Sequence, residues 1–187
     1  AYHTDVFQHI QNNLLEHNNG YCTGSTCLMN IMYRHKNMIH MNIVNLGDSR
    51  LTIVYKNGSH KQITTDHKPD EINEKMRITK MGGDIYRDSE GTVRIGDLSL
   101  SRAFGDGDNA PYISQKPDVY YKKITSETKY VVMACDGLWD VINNDELFGL
   151  LNSYNQNNST NLAADLALDA LHKGSTDNIS IIIIEIK

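Results

Sequence analysis

Several features that would narrow a function quickly are scarce in this chain. Only 3 cysteines occur among 187 residues, Cys22, Cys27 and Cys135, and they form neither a CxxC pair nor an even disulfide framework. Cys135 lies inside an apolar run, so the expected setting is a reducing one, intracellular (cytoplasmic or nuclear) rather than secreted. No apolar stretch approaches the roughly 20 residues of a membrane span, and the N-terminus has no signal-peptide apolar region, so no membrane partner is expected. Lys and Arg number 18 against 23 Asp and Glu, a formal charge of -5 with no basic run, which argues against a nucleic-acid partner. No Pro/Gly/Ser-rich linker divides the chain, so residues 1–187 are expected to form a single domain with a real core. The chain opens on Ala1 rather than Met, which points to a fragment or a processed product.

What is present is a mixed pattern. In "DVFQHIQNNLLEH" Val6, Phe7, Ile10, Leu14 and Leu15 recur at helical spacing, and Asn18-Asn19-Gly20 closes the helix. "STCLMNIMY", "MIHMNIVNL" and "SRLTIVYKNG" have strand length and read as an antiparallel meander. A second helix is expected to start near Pro69, with Asp70 and Glu71 in its first turn and Ile72, Met76 and Ile78 along its apolar stripe, before Gly82-Gly83 end it. "DIYRDSEGTVRIGD" reads as a small hairpin or flap. Strands follow at 118–124 and 129–135, then helices near 143–152 and 159–173 and a last strand, "NISIIIIEIK". That strand is apolar almost without alternation, so it is expected at the centre of a packed sheet. The class is α+β, antiparallel sheet with helices in separate layers.

Carboxylates mark strand ends. "MNIVNLGD" ends one strand on Asp48, "YVVMACD" ends another on Asp136, and Asp177 stands just before the last strand. Asp-Gly is also ordinary turn chemistry, so each acid alone reads first as a turn residue. In an antiparallel sheet, however, the end of one strand lies beside the start of its neighbour, which lets Asp136 and Asp177 share an edge. Asp48 can join them if its strand belongs to a facing sheet. Gathered carboxylates repel, and a hard divalent ion relieves the repulsion. Oxygen ligands without His or Cys suit magnesium or manganese rather than zinc.

From Gly24 onward the chain resembles the metal-dependent protein phosphatases of type 2C, which act on phosphoserine and phosphothreonine. The resemblance rests on "GST" at 24–26, "NLGDSR" at 45–50, "TTDHKP" at 64–69, "EKMRI" and "GG" within 74–83, "LSLSRAFGD" at 98–106, "ACDGLWDV" at 134–141 and "GSTDNIS" at 174–180, in the family's order. It implies an antiparallel β-sandwich flanked by helices on both outer faces, a four-layer αββα arrangement of which the N-terminal part is missing. It also implies Mg2+ or Mn2+, two or three ions in the complete site, and hydrolysis by water without a phosphoenzyme. Carried over residue by residue, Asp136 and Asp177 are ligands of the catalytic ion, and Asp136, Asp140 and Asp48 hold a further, weaker one. The resemblance implies a phosphoprotein substrate met by a monomer. Trp139 is expected to pack beneath the site, Arg50 and Arg102 to form buried ion pairs, and His67 to serve a turn or the packing.

The family's N-terminal motif, Asp-Gly-His-Gly-Gly, does not occur in these residues, and none of the 8 histidines stands in such a setting. The bridging metal ligand and the phosphate-binding arginine that accompany it are therefore not expected here. The chain by itself is expected to be a poor enzyme, and a catalytically inactive phosphatase-like binding or regulatory module is the alternative. Other phosphatase chemistries fail. A cysteine nucleophile needs an Arg where Val141 stands, and a haloacid-dehalogenase-type site needs an Asp where Leu138 stands. Asp106 and Asp108 lack the glycine and distal glutamate of a calcium loop.

Overall fold

The computed structural model describes residues 2–17 and 22–187; the expected helix end at Asn18-Asn19-Gly20 lies outside the described residues. In chain order the elements are α1 (Tyr2–Glu16), β1 (Gly24–Ser25), β2 (Cys27–His35), β3 (Met38–Leu46), β4 (Arg50–Tyr55), β5 (His60–Gln62), α2 (Ile72–Lys80), β6 (Tyr86–Arg87), β7 (Val93–Arg94), β8 (Phe104–Gly105), a short 3-10 turn (Gly107–Asn109), β9 (Asp118–Lys123), β10 (Thr128–Ala134), α3 (Asp136–Trp139), α4 (Leu147–Gln156), α5 (Leu162–His172) and β11 (Ile181–Glu185). The α+β class is as expected, and the flap is the β6–β7 hairpin.

One sheet has the order β2-β3-β9 and another β11-β10-β4-β5. The meander expected over β2, β3 and β4 is therefore broken after β3, and β4 enters the other sheet. The break falls at Gly47, whose φ of +111° suits a residue without Cβ, and an added Cβ would sit 2.3 Å from Thr26 Cγ2. The last strand also departs from expectation. β11 is an edge strand beside β10, with Ile182 58% exposed, while Ile181 and Ile183 pack on the core. An unalternating apolar run shows that a strand is apolar, not how many neighbours it has.

The chain falls into two compact units. The first comprises Ala1–Met29, Val44–Asp48 and Asp66–Val119. Its α1 buries Phe7 against Val44, Leu46 and Phe104. Gln11 is buried beside Phe7, its amide donating to Gly105 O at 3.0 Å and accepting from Gly105 N at 2.7 Å. Val6, Ile10 and Leu14, which the spacing places on the apolar stripe, are exposed. Helix α2 starts at Ile72 rather than at Pro69, because the Glu71 carboxylate caps it by accepting from the amides of Asn73 and Glu74 at 2.9 and 3.1 Å. It buries Glu74 and Ile78 and leaves Ile72 and Met76 outside.

The second unit comprises Asn30–Ile43, Ser49–Thr65 and Tyr120–Lys187. Val54, Tyr130, Val132 and Ala134 of the sheet pack with Leu147 and Leu151 of α4 and Leu166 and Ala170 of α5. This is helix-on-sheet burial of apolar side chains, the main source of stability in such a unit.

Candidate metal centre

The turn after β3 carries Asp48, buried to 3% exposure. It is held by the segment containing His67 and Lys68. The amide of His67 donates to Gly47 O at 3.1 Å, and the amide of Gly47 donates to His67 Nδ1 at 2.9 Å. An Nδ1 that accepts carries no proton, so the ring proton sits on Nε2 and is donated to Asp118 Oδ2 at 3.1 Å. Next along the chain, Lys68 Nζ reaches Asp48 Oδ2 at 2.5 Å. Two consecutive residues thus grip two consecutive residues.

Behind this grip lies a charged network in the same unit. Arg102 donates to Glu74 Oε1 at 2.6 Å, to Asp118 Oδ1 at 3.0 Å and to Lys116 O at 2.8 Å. Arg77 reaches Glu74 Oε2 at 2.9 Å, and the Ser101 hydroxyl donates to the same oxygen at 2.8 Å. Burial pushes the Glu74 carboxyl up, but the hydrogen bonds from Arg102 and Arg77 outweigh it and hold the group down at about 2. Asp118 is likewise held at about 2, by the hydrogen bond from His67 against the effect of burial, with the Arg102 charge adding to it. Arg102 is the buried ion-pair former expected of it. The Arg50 guanidinium stacks on Trp139, with Cζ 4.9 Å from the ring centroid.

The second acid-bearing turn follows β10. Ala134, the last residue of β10, lies opposite Arg50 on one side and Ile181 on the other. The end of β10 therefore sits beside the start of β11, as the antiparallel argument requires of Asp136 and Asp177. Asp136 opens α3 and is half-buried, Asp177 precedes β11 and is exposed, and Asp140 caps α3 on the exposed side. A Cβ on Gly137 would lie 2.3 Å from Asn178 O, so glycine permits the close approach here. Cys135 Sγ lies 3.2 Å from both Asn178 O and the Ser180 amide, and the Ser175 hydroxyl donates to Gly137 O at 2.6 Å. Trp139 is buried under the turn, donating from Nε1 to Ala134 O at 2.9 Å.

These carboxylates are hard oxygen donors, the chemistry that magnesium or manganese takes. For Asp136, Asp140 and Asp177 the donor set fits such an ion. Among the described residues, though, no group of three or more His, Cys, Asp or Glu side chains stands close enough together to hold a metal. At Asp48 the fit is poorer still, because an ammonium already touches its carboxylate. Sequence reading did not single out Lys68, Glu74 or Asp118. Two signals were there: a lysine directly after His67, and a glutamate one turn before Ile78 on an otherwise buried helix face.

The fold is α+β with acids on the turns at its strand ends, and comparison with known proteins defines the family. The model of the family "Protein phosphatase 2C" matches residues 4–179, and the chain belongs to that family. It is 36% identical over 169 residues to the PP2C-like domain-containing protein R307 of Acanthamoeba polyphaga mimivirus, covering 78% of this chain and 93% of the viral protein. It is 36% identical over 165 residues to the probable protein phosphatase 2C 44 of rice, Oryza sativa subsp. japonica, covering 88% of this chain but 50% of the rice protein. The chain thus spans about half the length of that plant relative. Among solved structures, the serine-threonine phosphatase 2C from Toxoplasma gondii superposes with a TM-score of 0.83 at 27% identity, covering 98% of this chain and 66% of that one. No helix among the described residues is long and apolar enough to cross a membrane.

Proposed function

We propose that the chain is the larger part of one catalytic domain that hydrolyses phosphoserine and phosphothreonine in proteins with the help of Mg2+ or Mn2+. The observation that carries this reading is the pairing of the end of β10 with the start of β11, which sets the Asp136 turn beside the Asp177 turn in a member of the phosphatase 2C family. Asp136 and Asp177 hold the catalytic ion, and Asp136, Asp140 and Asp48 a further one. When bound, such an ion supplies Lewis acidity toward a phosphoryl oxygen and a water acidic enough to attack phosphorus near neutral pH. The chain's own contribution is positional. Gly137 and Ser175 fix the Asp136 turn against the segment that carries Asp177, and Trp139 closes it from below. Cys135 is engaged by Asn178 and Ser180 and serves the turn rather than the chemistry. The substrate is a phosphoprotein, and the domain acts as a monomer inside the cell.

A second reading, a phosphatase-like module that binds without catalysis, is favoured by the lack of a gathered three-acid group among the described residues. One experiment separates the two. A family segment bearing Asp-Gly-His-Gly-Gly is fused ahead of residue 1, and phosphate release from a phosphothreonine peptide is followed with Mn2+. Metal-dependent turnover that disappears in Asp136→Asn supports the enzyme. No turnover from a folded, manganese-binding fusion supports the module.

A further inference from the structure

Helix α2 has two faces of different chemistry. Its inner face is anchored: the buried Glu74 carboxylate meets Arg102 and Arg77, and Ile78 packs with Ile95, Ala103 and Ile113. Its outer face holds Ile72, Lys75, Met76, Thr79 and Lys80, spaced i, i+3, i+4, i+7 and i+8 and so lying along one side of the helix. Ile72 is 73% and Met76 59% exposed, and with Asp70 these five residues line an open groove of about 580 Å3. All six lie in the first compact unit. We propose that this groove is a docking surface for an acidic segment of a partner protein, one that brings two large apolar side chains to Ile72 and Met76 and carboxylates to Lys75 and Lys80.

Single exposed apolar side chains are ordinary, but apolar side chains aligned in one patch with a polar rim mark a contact site. Here the arrangement repeats: Lys75 stands one turn on from Ile72 and Lys80 one turn on from Met76, so each apolar side chain has an ammonium neighbour. The lysine stems lengthen the apolar strip while their head groups set its charge. The acids of the helix are engaged elsewhere, since Glu71 caps the first turn and Glu74 is buried in its ion pairs. The outer face therefore offers two ammonium groups against one carboxylate, Asp70, on a chain whose formal charge is -5. That sign favours an acidic partner. A second copy of the chain is disfavoured, because two bodies of charge -5 repel, and an isologous pairing of this face would set lysine against lysine. A single-stranded nucleic acid is disfavoured too, because the lining has no aromatic ring on which a base could stack. The inner anchoring holds the helix ready, so binding orders side chains rather than backbone, and the unbranched Met76 adapts to the apolar group it meets.

The test is a selection from a random-peptide display library on immobilised residues 1–187, followed by fluorescence anisotropy with the enriched peptides. Neither metal nor turnover enters the measurement, so its outcome is separate from that of the catalytic reading. Enriched peptides should combine two large apolar residues with Asp or Glu. Ile72→Ser and Met76→Ser should each weaken their binding roughly tenfold or more, as loss of a central contact does. Lys75→Gln with Lys80→Gln should weaken it and flatten its dependence on salt, since the screened charges are then gone. Leu168→Ser, at an exposed leucine of α5, should leave it unchanged. Circular dichroism and melting check folding, and Ile72→Gln and Met76→Gln replace any serine variant that does not fold. Failure to enrich any peptide overturns the inference, as do enriched peptides that are neutral or basic, or that bind the folded Ile72 and Met76 variants as tightly as the wild type. Displacement of the peptides by a single-stranded oligonucleotide, or a dimer that the same variants dissolve, would assign the groove to those occupants and overturn it as well.

Discussion

The two acid-bearing turns of this chain are built in opposite ways. The turn after β3 is closed: Asp48 is buried and paired with Lys68, and behind it His67, Asp118, Arg102, Glu74, Arg77 and Ser101 form a chain of charge-assisted hydrogen bonds. The turn after β10 is open. It is shaped by a glycine contact, a serine hydroxyl and a tryptophan, with Asp140 and Asp177 exposed to solvent. A closed turn keeps its geometry whether or not an ion is present, because protein cations already neutralise it. An open turn leaves its carboxylates to be neutralised from outside, as a divalent ion would do.

The comparison breaks most readily at Arg102. Its guanidinium is only 13% exposed and joins Glu74 to Asp118, so Arg102→Met leaves the nearly buried Glu74 carboxylate short of a partner, while Asp118, 38% exposed, can turn to water. Losing one member of a buried pair costs about 3–5 kcal/mol, which in a domain of this size lowers the melting temperature by about 10 °C. Thermal melts in the absence of metal check this. A loss below about 1 kcal/mol, the range of an exposed pair, would show that the closed turn does not depend on its charges.

Acid offers a second way in. The carboxyl of Glu74 is held at about 2 in the folded chain, well below the ordinary glutamate range. A depressed folded value means stability that is fully present above the unfolded value and lost as pH falls through the folded one. The window therefore runs from roughly pH 5 down to pH 2, and the amount at stake for this nearly buried group is on the order of 3 kcal/mol. Denaturant unfolding of wild type and Glu74→Gln should give curves that differ at neutral pH and converge in acid. Parallel curves would mean that Glu74 contributes nothing to the acid response.

How far the sequence announced these features follows from which physical signal each one leaves. The turn acids were legible because three of them mark three strand ends, and antiparallel geometry then placed the turns of Asp136 and Asp177 at one end of a sheet, where β10 and β11 do pair. The hairpin at the flap, the strand at Asp118–Lys123 and the helix pair α4 and α5 were legible from period and length. What failed was whatever needed knowledge of a neighbour. The stripes of Val6, Ile10 and Leu14 and of Ile72 and Met76 have helical spacing, yet they are exposed, while Gln11 and Glu74 are buried because each meets specific partners far away in the chain. Periodicity weighs apolar residues; it cannot see that a glutamate will meet two arginines. The place of β11 at the sheet edge and the passage of the chain between sheets at Gly47 are tertiary facts of the same kind.

On the open side, Gly137 is the sharper probe. A Cβ there would lie 2.3 Å from Asn178 O, so Gly137→Ala forces the segment between Asp177 and β11 away from α3. Overpacking of this sort costs about 1–3 kcal/mol, less than breaking the charged network. Because Asp136 and Asp177 lie one residue from the two contacting positions, the same change should weaken manganese binding, read by titrating the chain with Mn2+ and following the electron paramagnetic resonance signal of the free ion. Equal manganese affinity in wild type and Gly137→Ala would detach the turn geometry from ion binding and leave the open turn a matter of packing alone.

The smallest expected effect belongs to Ser175. Its hydroxyl donates to Gly137 O at 2.6 Å, and this carbonyl needs such a donor because the amide of Val141, which would reach it in a continuing helix, is bonded to Leu138 O at 3.2 Å. Ser175→Ala leaves the carbonyl of the buried Gly137 short of one bond where the half-buried Ser175 now supplies it. The loss should be about 1 kcal/mol, a shift of about 3 °C in a chain of this length, and melts in the absence of metal read it directly. The value sharpens the contrast between the turns, since one neutral hydroxyl on the open side is set against a shared guanidinium on the closed side. If Ser175→Ala cost as much as Arg102→Met, the two turns would be equally dependent on their built-in partners. The openness of the Asp136 turn would then describe only where its acids point, not how it is held.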